Sequence, residues 1–418
     1  MAPSMPHPSV PGKSDSRLPV AFISFRHRNF RLWFFGQLVS LVGTWMQIIA
    51  QGWLVYQISH SEFALGLVGF ASAIPALIIS AWGGVISDRL PRRTLLLITQ
   101  SSQMFFAFVL SVLVFTNTVQ VWHVVVLAVL GGVVTAFDAP ARLTFVMDMV
   151  GREDLTNAIA LNASMFNMAR VIGPAVGGVI LAAVGAGWCF FINGVSFLAV
   201  IGGLMLMQFP PHSRPLSKVK PLRQLVEGLI YIRSRRDILG ILALTIAFGI
   251  FGTSYSSQLP AFADKYLNSS ETGYAAINTA VGVGALTAGL ILAQFGSKIG
   301  RGWLVTAASL IFPLILAAFA FNQSLLVALG LSFFLGMGFL LLFNNFNSLL
   351  QLNTSDEMRG RVMGVYTQVF FGFSPFGALL IGAVAEQIPL PQTIALSAAV
   401  TLVLALGVYF AAPEVRKL

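Results

Sequence analysis

GGVISDRLPRRTLLL, Gly83 to Leu97, packs Asp88, Arg89, Arg92 and Arg93 into six positions of a chain otherwise almost free of charge. On either side, runs of Ala, Ile, Leu, Val, Phe and Gly extend for about twenty residues, the length a helix needs to cross roughly 30 Å of hydrocarbon. The stretch therefore reads as a short charged turn between two membrane-spanning helices. The same alternation of apolar run and polar turn recurs along the chain.

Composition agrees. Hydrophobic residues make up 56% of the 418 positions and charged residues only 10%. A soluble surface calls for about a quarter charged residues, so most of this surface is expected to face the lipid bilayer. Twelve stretches are long and apolar enough to span, near 30–57, 63–87, 93–116, 119–141, 156–184, 187–208, 238–260, 272–296, 302–321, 325–351, 360–386 and 391–412. The predicted class is an all-α membrane protein of twelve transmembrane helices in two pseudo-symmetric six-helix bundles. The expected units are a disordered cytoplasmic tail (1–24), a first bundle (25–208), a cytoplasmic linker (209–237), a second bundle (238–412) and a short tail (413–418).

The net charge of +10 does not point to nucleic acid. With a cytoplasmic amino terminus, all 25 Lys and Arg except Lys265 and Arg170 fall in the tails and cytoplasmic loops. Insertion retains Lys and Arg on the cytoplasmic side, so the charge is a topology signal that places both termini inside a cell (inner) membrane. The single cysteine, Cys189, excludes an intrachain disulfide. His7, His27, His60, His123 and His212 form no metal-spaced pair, and PGKS (Pro11 to Ser14) has His7 where a phosphate loop needs glycine. No metal, cofactor or catalytic residue is expected.

The halves echo each other at a spacing of about two hundred residues, as in transporters built from duplicated units. SDRLPRR (Ser87 to Arg93) returns as FGSKIGRG (Phe295 to Gly302), and RVIGPAVGG (Arg170 to Gly178) as FSPFGALL (Phe373 to Leu380). The first of these motifs resembles motif A of the major facilitator superfamily, with Pro91 where the superfamily usually has glycine. GPAVGG resembles motif C, associated with exporters. SLVGTWMQIIAQGWLVYQIS (Ser40 to Ser59) and FDAPAR (Phe137 to Arg142) are similar to the enterobactin-exporter and drug-exporter-like branch. The resemblance covers about residues 25–412.

Two readings of the charged turn stand at this level. In one, the arginines only anchor the loop in the cytoplasm. In the other, which the resemblance implies, Gly84, Asp88, Arg89, Arg92 and Arg93 latch the halves against Arg359, Gly360 and Arg361 at the start of helix 11. Asp138 and Arg142 then relay charge to the motif A arginines. A carboxylate can accept hydrogen bonds from the free amides at a helix start. Asp138 and Arg142 are also spaced for a closed pair on one helix face.

An ionisable group inside a span is costly and is usually paired or functional. Arg170 is such a group, with two partners open to it: Asp138 on the neighbouring helix, or anionic substrate in a wet cavity. Gly173, Pro174, Gly177 and Gly178, which follow it, suit close packing and a bend. Gln37, Ser40, Thr44, Gln47 and Gln51 form one polar face of helix 1. With Asn167, Ser254, Ser257, Gln258, Asn344, Asn347 and Gln351 they are the cavity candidates, and interhelical hydrogen bonding is the alternative. Trp45, Met46, Trp53, Tyr56, Phe248 and Phe251 are candidates for an aromatic wall.

The resemblance implies a secondary active transporter, acting as a monomer and exporting a small-molecule substrate by alternating access in exchange for protons. Thr44 stands where related exporters often carry an acid. An importer, a uniporter and a non-transporting scaffold or receptor are the competing readings.

Overall fold

In hydrocarbon no water pairs with backbone N–H and C=O groups, so each apolar run must satisfy them internally as a helix. The computed structural model describes residues 20–89, 91–209, 221–296 and 300–417. Among these described residues are twelve helices long and apolar enough to cross a membrane. Spans 1 to 6 are Arg28–Ser59, Glu62–Arg89, Arg92–Phe115, Val121–Val150, Leu155–Val184 and Ala186–Leu206. Spans 7 to 12 are Arg236–Lys265, Glu271–Phe295, Arg301–Ala320, Leu325–Asn353, Asp356–Ala385 and Leu390–Ala411. An even number of crossings puts both chain ends on one side, here called the termini side; the opposite side is the far side.

The repeat is visible in the packing. Span 2 lies on span 4 as span 8 lies on span 10, and span 3 on span 6 as span 9 on span 12. The halves meet through two equivalent seams, span 2 with span 11 and span 5 with span 8. Small residues make these seams close. A Cβ on Gly382 would lie 2.6 Å from the Glu62 carbonyl, one on Gly282 would lie 3.0 Å from the Arg170 carbonyl, and one on Gly178 would collide with Ala275.

The opening motif has a short turn despite Pro91. Span 2 ends at Arg89 and span 3 begins at Arg92, with Pro91 capping it at φ −56°. A fixed φ near that value suits a residue just before a helix. The expectations for Gly84, Asp88 and Arg89 fall outside the described side chains. The other two arginines bind within the first half. Arg92 pairs with Asp148 at 3.2 Å and donates to the Thr144 carbonyl, both on span 4. Arg93 donates to the Leu204 and Met205 carbonyls at 2.7 and 2.8 Å, satisfying the last turn of span 6 with a cation at its negative end. Arg93→Ala is expected to cost about 1–2 kcal/mol, checked by thermal unfolding of the purified protein in detergent.

Two expectations about element boundaries are corrected, at the first tail and at span 7, and the linker gains an element. Residues 20–24, placed in a disordered tail, belong to a 3-10 helix (Val20–Arg26) that docks on the start of span 5: Ser24 donates to the Asp154 carbonyl, and Arg26 binds the Asp154 carboxylate at 2.8 Å. The linker contains a helix, Pro221–Ser234, held to span 11 by a 3.2 Å Glu227–Arg361 ion pair. Span 7 does not stop near Pro260. It runs as α-helix to Ala247, as π-helix over Phe248–Gly252 and as 3-10 helix over Ser254–Gln258, then resumes at Leu259–Lys265. Pro260 opens that last segment, where a missing N–H costs nothing.

Candidate functional site

A cavity of about 860 Å³ lies at the seam, reached by side chains from spans 1 to 8, 10 and 11. The polar face of span 1 supplies one wall: Gln37, Ser40, Thr44, Gln47 and Gln51 all line it. Asn193 on span 6 donates to Gln47 at 2.6 Å and fixes that side chain. Gln100 and Gln103 on span 3, Asn278 on span 8 and Ser374 on span 11 add polar groups that sequence reasoning missed. Single polar residues in apolar helices are their only sequence signal.

The aromatic wall differs from the expected one. Of the candidates, Trp45 lines the cavity, together with Phe106, Phe339, Phe343, Phe370 and Phe371. Phe248 is buried in the second half against Phe312 and Phe346, and Trp53 stacks on Tyr274 across the seam at 6.0 Å.

Asp138 is buried at 5% exposure. Thr99 and Gln100 donate to one carboxylate oxygen at 2.7 and 2.8 Å, and Arg142 donates to the other through Nε at 3.1 Å and through a second guanidinium nitrogen. The carboxylate thus accepts four hydrogen bonds, two at each oxygen. The expected relay to the motif A arginines is corrected in part: neither Arg92 nor Arg93 reaches Asp138, because both are engaged by spans 4 and 6.

Arg170 does not pair with Asp138 either. Its guanidinium lies 5.7 Å from the Trp45 ring and 4.9 Å from that of Phe339. No ion pair or hydrogen bond from its side chain occurs among the described residues, and it lines the cavity. The reason is competition. Arg142 is one helical turn from Asp138 on the same span, so its pair forms without ordering a second helix. Two rings contribute about 0.5–2 kcal/mol each, against several kcal/mol for removing a cation from water. The cavity must therefore supply Arg170 with further partners.

Three groups of cavity candidates are corrected. Asn344, Asn347 and Gln351 do not line the cavity. Asn344 follows Phe343 directly but is exposed on another face, and Asn347 and Gln351 lie about one and two turns further toward the termini side, where Gln351 donates to Asn347 at 2.6 Å. Ser254 and Gln258 do not line it either. Ser254 donates to the Ile250 carbonyl, and fully buried Gln258 donates to the Glu62 carbonyl at 3.1 Å. The π and 3-10 turns of span 7 shift the helical phase, so Thr253 and Ser256 face the cavity, together with the candidate Ser257. Asn167 lies one turn before Arg170 and outside the lining. Pro174 does line the cavity, whereas Gly173 and Gly177 press on span 1 at Trp45 and Met46.

Contacts joining the halves run from this level to the far side. Lys265 pairs with Glu62 at 2.6 Å, Tyr56 donates to Asp264 at 3.0 Å and Ser61 to Glu386 at 2.5 Å. One apolar core combines both halves there, from Met46 to Tyr56 on span 1 and Leu259 to Ala263 on span 7. A second, around Phe30, Trp33 and Phe145, belongs to the first half alone. At the termini side Arg359 pairs with Asp356 at 2.6 Å, Arg361 is held by Glu227, and a Cβ on Gly360 would meet open space.

Two bundles closed on the far side around a polar cavity at their seam define a secondary transporter. A family model described as transmembrane secretion effector matches residues 20–417. The chain is 24% identical to the staphyloferrin A transporter of Staphylococcus aureus, over 91% of this chain and 95% of that one. It is 26% identical to the multidrug efflux pump Tap of Mycolicibacterium fortuitum (92% and 95%) and 25% identical to the enterobactin exporter EntS of Shigella flexneri (85% and 85%). Among solved structures, a POT family transporter in complex with a peptide superposes with TM-score 0.72 at 12% identity, over 93% of this chain and 96% of that one. The nucleoside transporter NupG gives 0.68 at 12% identity, over 94% and 99%. The chain belongs to the transmembrane secretion effector family of the major facilitator superfamily.

Proposed function

We propose that this protein exports small organic molecules, of the siderophore, drug or metabolite kind, from the cytoplasm by alternating access. The observation that carries the reading is the seam cavity, joined across the halves only from its own level to the far side among the described contacts. The relatives that handle staphyloferrin A, enterobactin and drugs support it. The distribution of Lys and Arg supports a cytoplasmic termini side in a cell membrane, and on that reading the state is open inward. The domains act as two rocking units, 25–208 and 238–412, in a monomer.

Exchange for protons is the proposed driving reaction. Asp138 is the only carboxylate among the described cavity-lining residues, and in the inward state four donors engage it. The latch of Asp88 on Arg359, Gly360 and Arg361 belongs to the outward state. Arg361 would then exchange Glu227 for the loop between spans 2 and 3.

Flux in proteoliposomes of defined orientation, against a panel of drugs and siderophores with and without a pH gradient, tests the reading. Accumulation in inside-out vesicles that depends on an acid interior supports it. Uptake only in right-side-out vesicles overturns the direction, and flux indifferent to pH overturns the coupling.

A further inference from the structure

The cavity carries an unbalanced positive charge. Its one described carboxylate, Asp138, is already occupied by Arg142, Thr99 and Gln100. That leaves Arg170 as the excess cation, with no described acid or hydrogen-bond acceptor. Its ring contacts are Trp45 and Phe339, and the buried Tyr255 phenol interacts with it electrostatically without a hydrogen bond. Rings engage a guanidinium through their π faces and accept none of its five N–H donors in the plane. Those donors have the fork geometry that matches a carboxylate with two parallel hydrogen bonds.

We propose that Arg170 is the anion-binding group of this cavity, taking the carboxylate of a small organic anion whose flat apolar body lies on Phe339, Phe343 and Phe370. The inference rests on the seam cavity being the substrate site and names the class of substrate. A neutral or cationic solute would leave the guanidinium unpaired, and a cation would be repelled.

The position of Arg170 also links occupancy to movement. Its backbone is pressed against span 8 at Gly282, while its side chain touches Trp45 in the first half and Phe339 in the second. A carboxylate competes for the guanidinium with the Phe339 contact. Binding therefore loosens one of the midplane contacts between halves that must part.

The test uses the full chain in lipid nanodiscs, titrated calorimetrically with 2-naphthoate and with 2-naphthamide, which share a shape and differ in charge. Empty nanodiscs supply the correction for partitioning into lipid. The carboxylate is expected to bind at least about tenfold more tightly than the amide, the span of a charge-assisted hydrogen-bond pair. Arg170→Lys should keep part of the preference. Arg170→Gln should abolish it and leave amide affinity within about threefold, since the apolar wall remains. Equal affinities in the natural protein overturn the proposal whether or not Arg170→Gln folds, as does a preference that survives in Arg170→Gln. Flux in proteoliposomes separates this from the transport reading. Naphthoate binding by a protein that moves no compound keeps the anion site and sinks the transporter. Export of drugs by a protein that binds naphthoate no more tightly than naphthamide keeps the transporter and sinks the anion site.

Discussion

Asp138→Ala is expected to destabilise the protein by about 3 kcal/mol, the lower end of the range for removing one partner of a buried ion pair. The loss has two parts. Arg142, only 25% exposed, is left as an uncompensated cation beside the cavity, and Thr99 and Gln100 each lose a buried acceptor. Water in the cavity relieves part of the first term, which sets the lower end. Asp138→Asn keeps an acceptor for Thr99 and Gln100 and should cost less, although Arg142 still loses its counterion. The diagnostic variant is the double one. Asp138→Ala with Arg142→Ala removes the stranded charge and should recover a substantial part of the stability, a non-additivity expected of directly paired groups. Unfolding in mixed detergent micelles, followed by near-UV circular dichroism, checks all three. A single alanine variant within about 1 kcal/mol of the natural protein would show that the pair is solvated and has no structural weight.

Gly66→Leu should trap the transporter with its far side open and cut flux by more than about tenfold, the loss expected when one state of a two-state equilibrium is strongly disfavoured. Even a single Cβ at Gly66 would collide with the Ala378 carbonyl on span 11. A leucine has no room unless spans 2 and 11 separate at the far side. Backbone atoms meet it there, so side-chain rearrangement cannot absorb the bulk. The same separation would part Lys265 from Glu62 and Ser61 from Glu386, while small-residue packing at the span 5–span 8 seam remains to hold the halves. Cys189 is fully buried, so a cysteine introduced at Thr44, which lines the cavity, would be the one thiol that reacts. A membrane-impermeant maleimide should label Thr44→Cys from the termini side in the otherwise natural protein and from the far side when Gly66→Leu is added. Labelling from the termini side in both would show that the seam yields without switching state.

How much of this was legible in the sequence follows from the range of each interaction. Span number is set by local apolar content, because a run of about twenty residues either crosses hydrocarbon or does not. The polar face of span 1 was legible for a related reason: an unbroken α-helix keeps Gln37, Ser40, Thr44, Gln47 and Gln51 on one side wherever it packs. Span 7 shows the limit. Its π and 3-10 turns break that periodicity, so Ser254 and Gln258 turned into the protein while Thr253 and Ser256 turned to the cavity. Span 10 shows another: Phe343 lines the cavity while the adjacent Asn344 points outward and is exposed, and Asn347 and Gln351 lie outside the lining further along the helix. Which polar residues meet a cavity therefore depends on how the helix is turned and placed in the bundle.

The motif that marks the fold divides in the same way. That GGVISDRLPRR forms a charged turn between two spans was fixed by the sequence alone, since lipid excludes its arginines whatever surrounds them. What each arginine binds was decided by tertiary structure. Arg92 found Asp148, Arg93 found the end of span 6, and Arg142 took Asp138 before Arg170 could. Partner choice among a few charges depends on which of them the folded helices bring within about 4 Å, and no spacing along the chain records that distance.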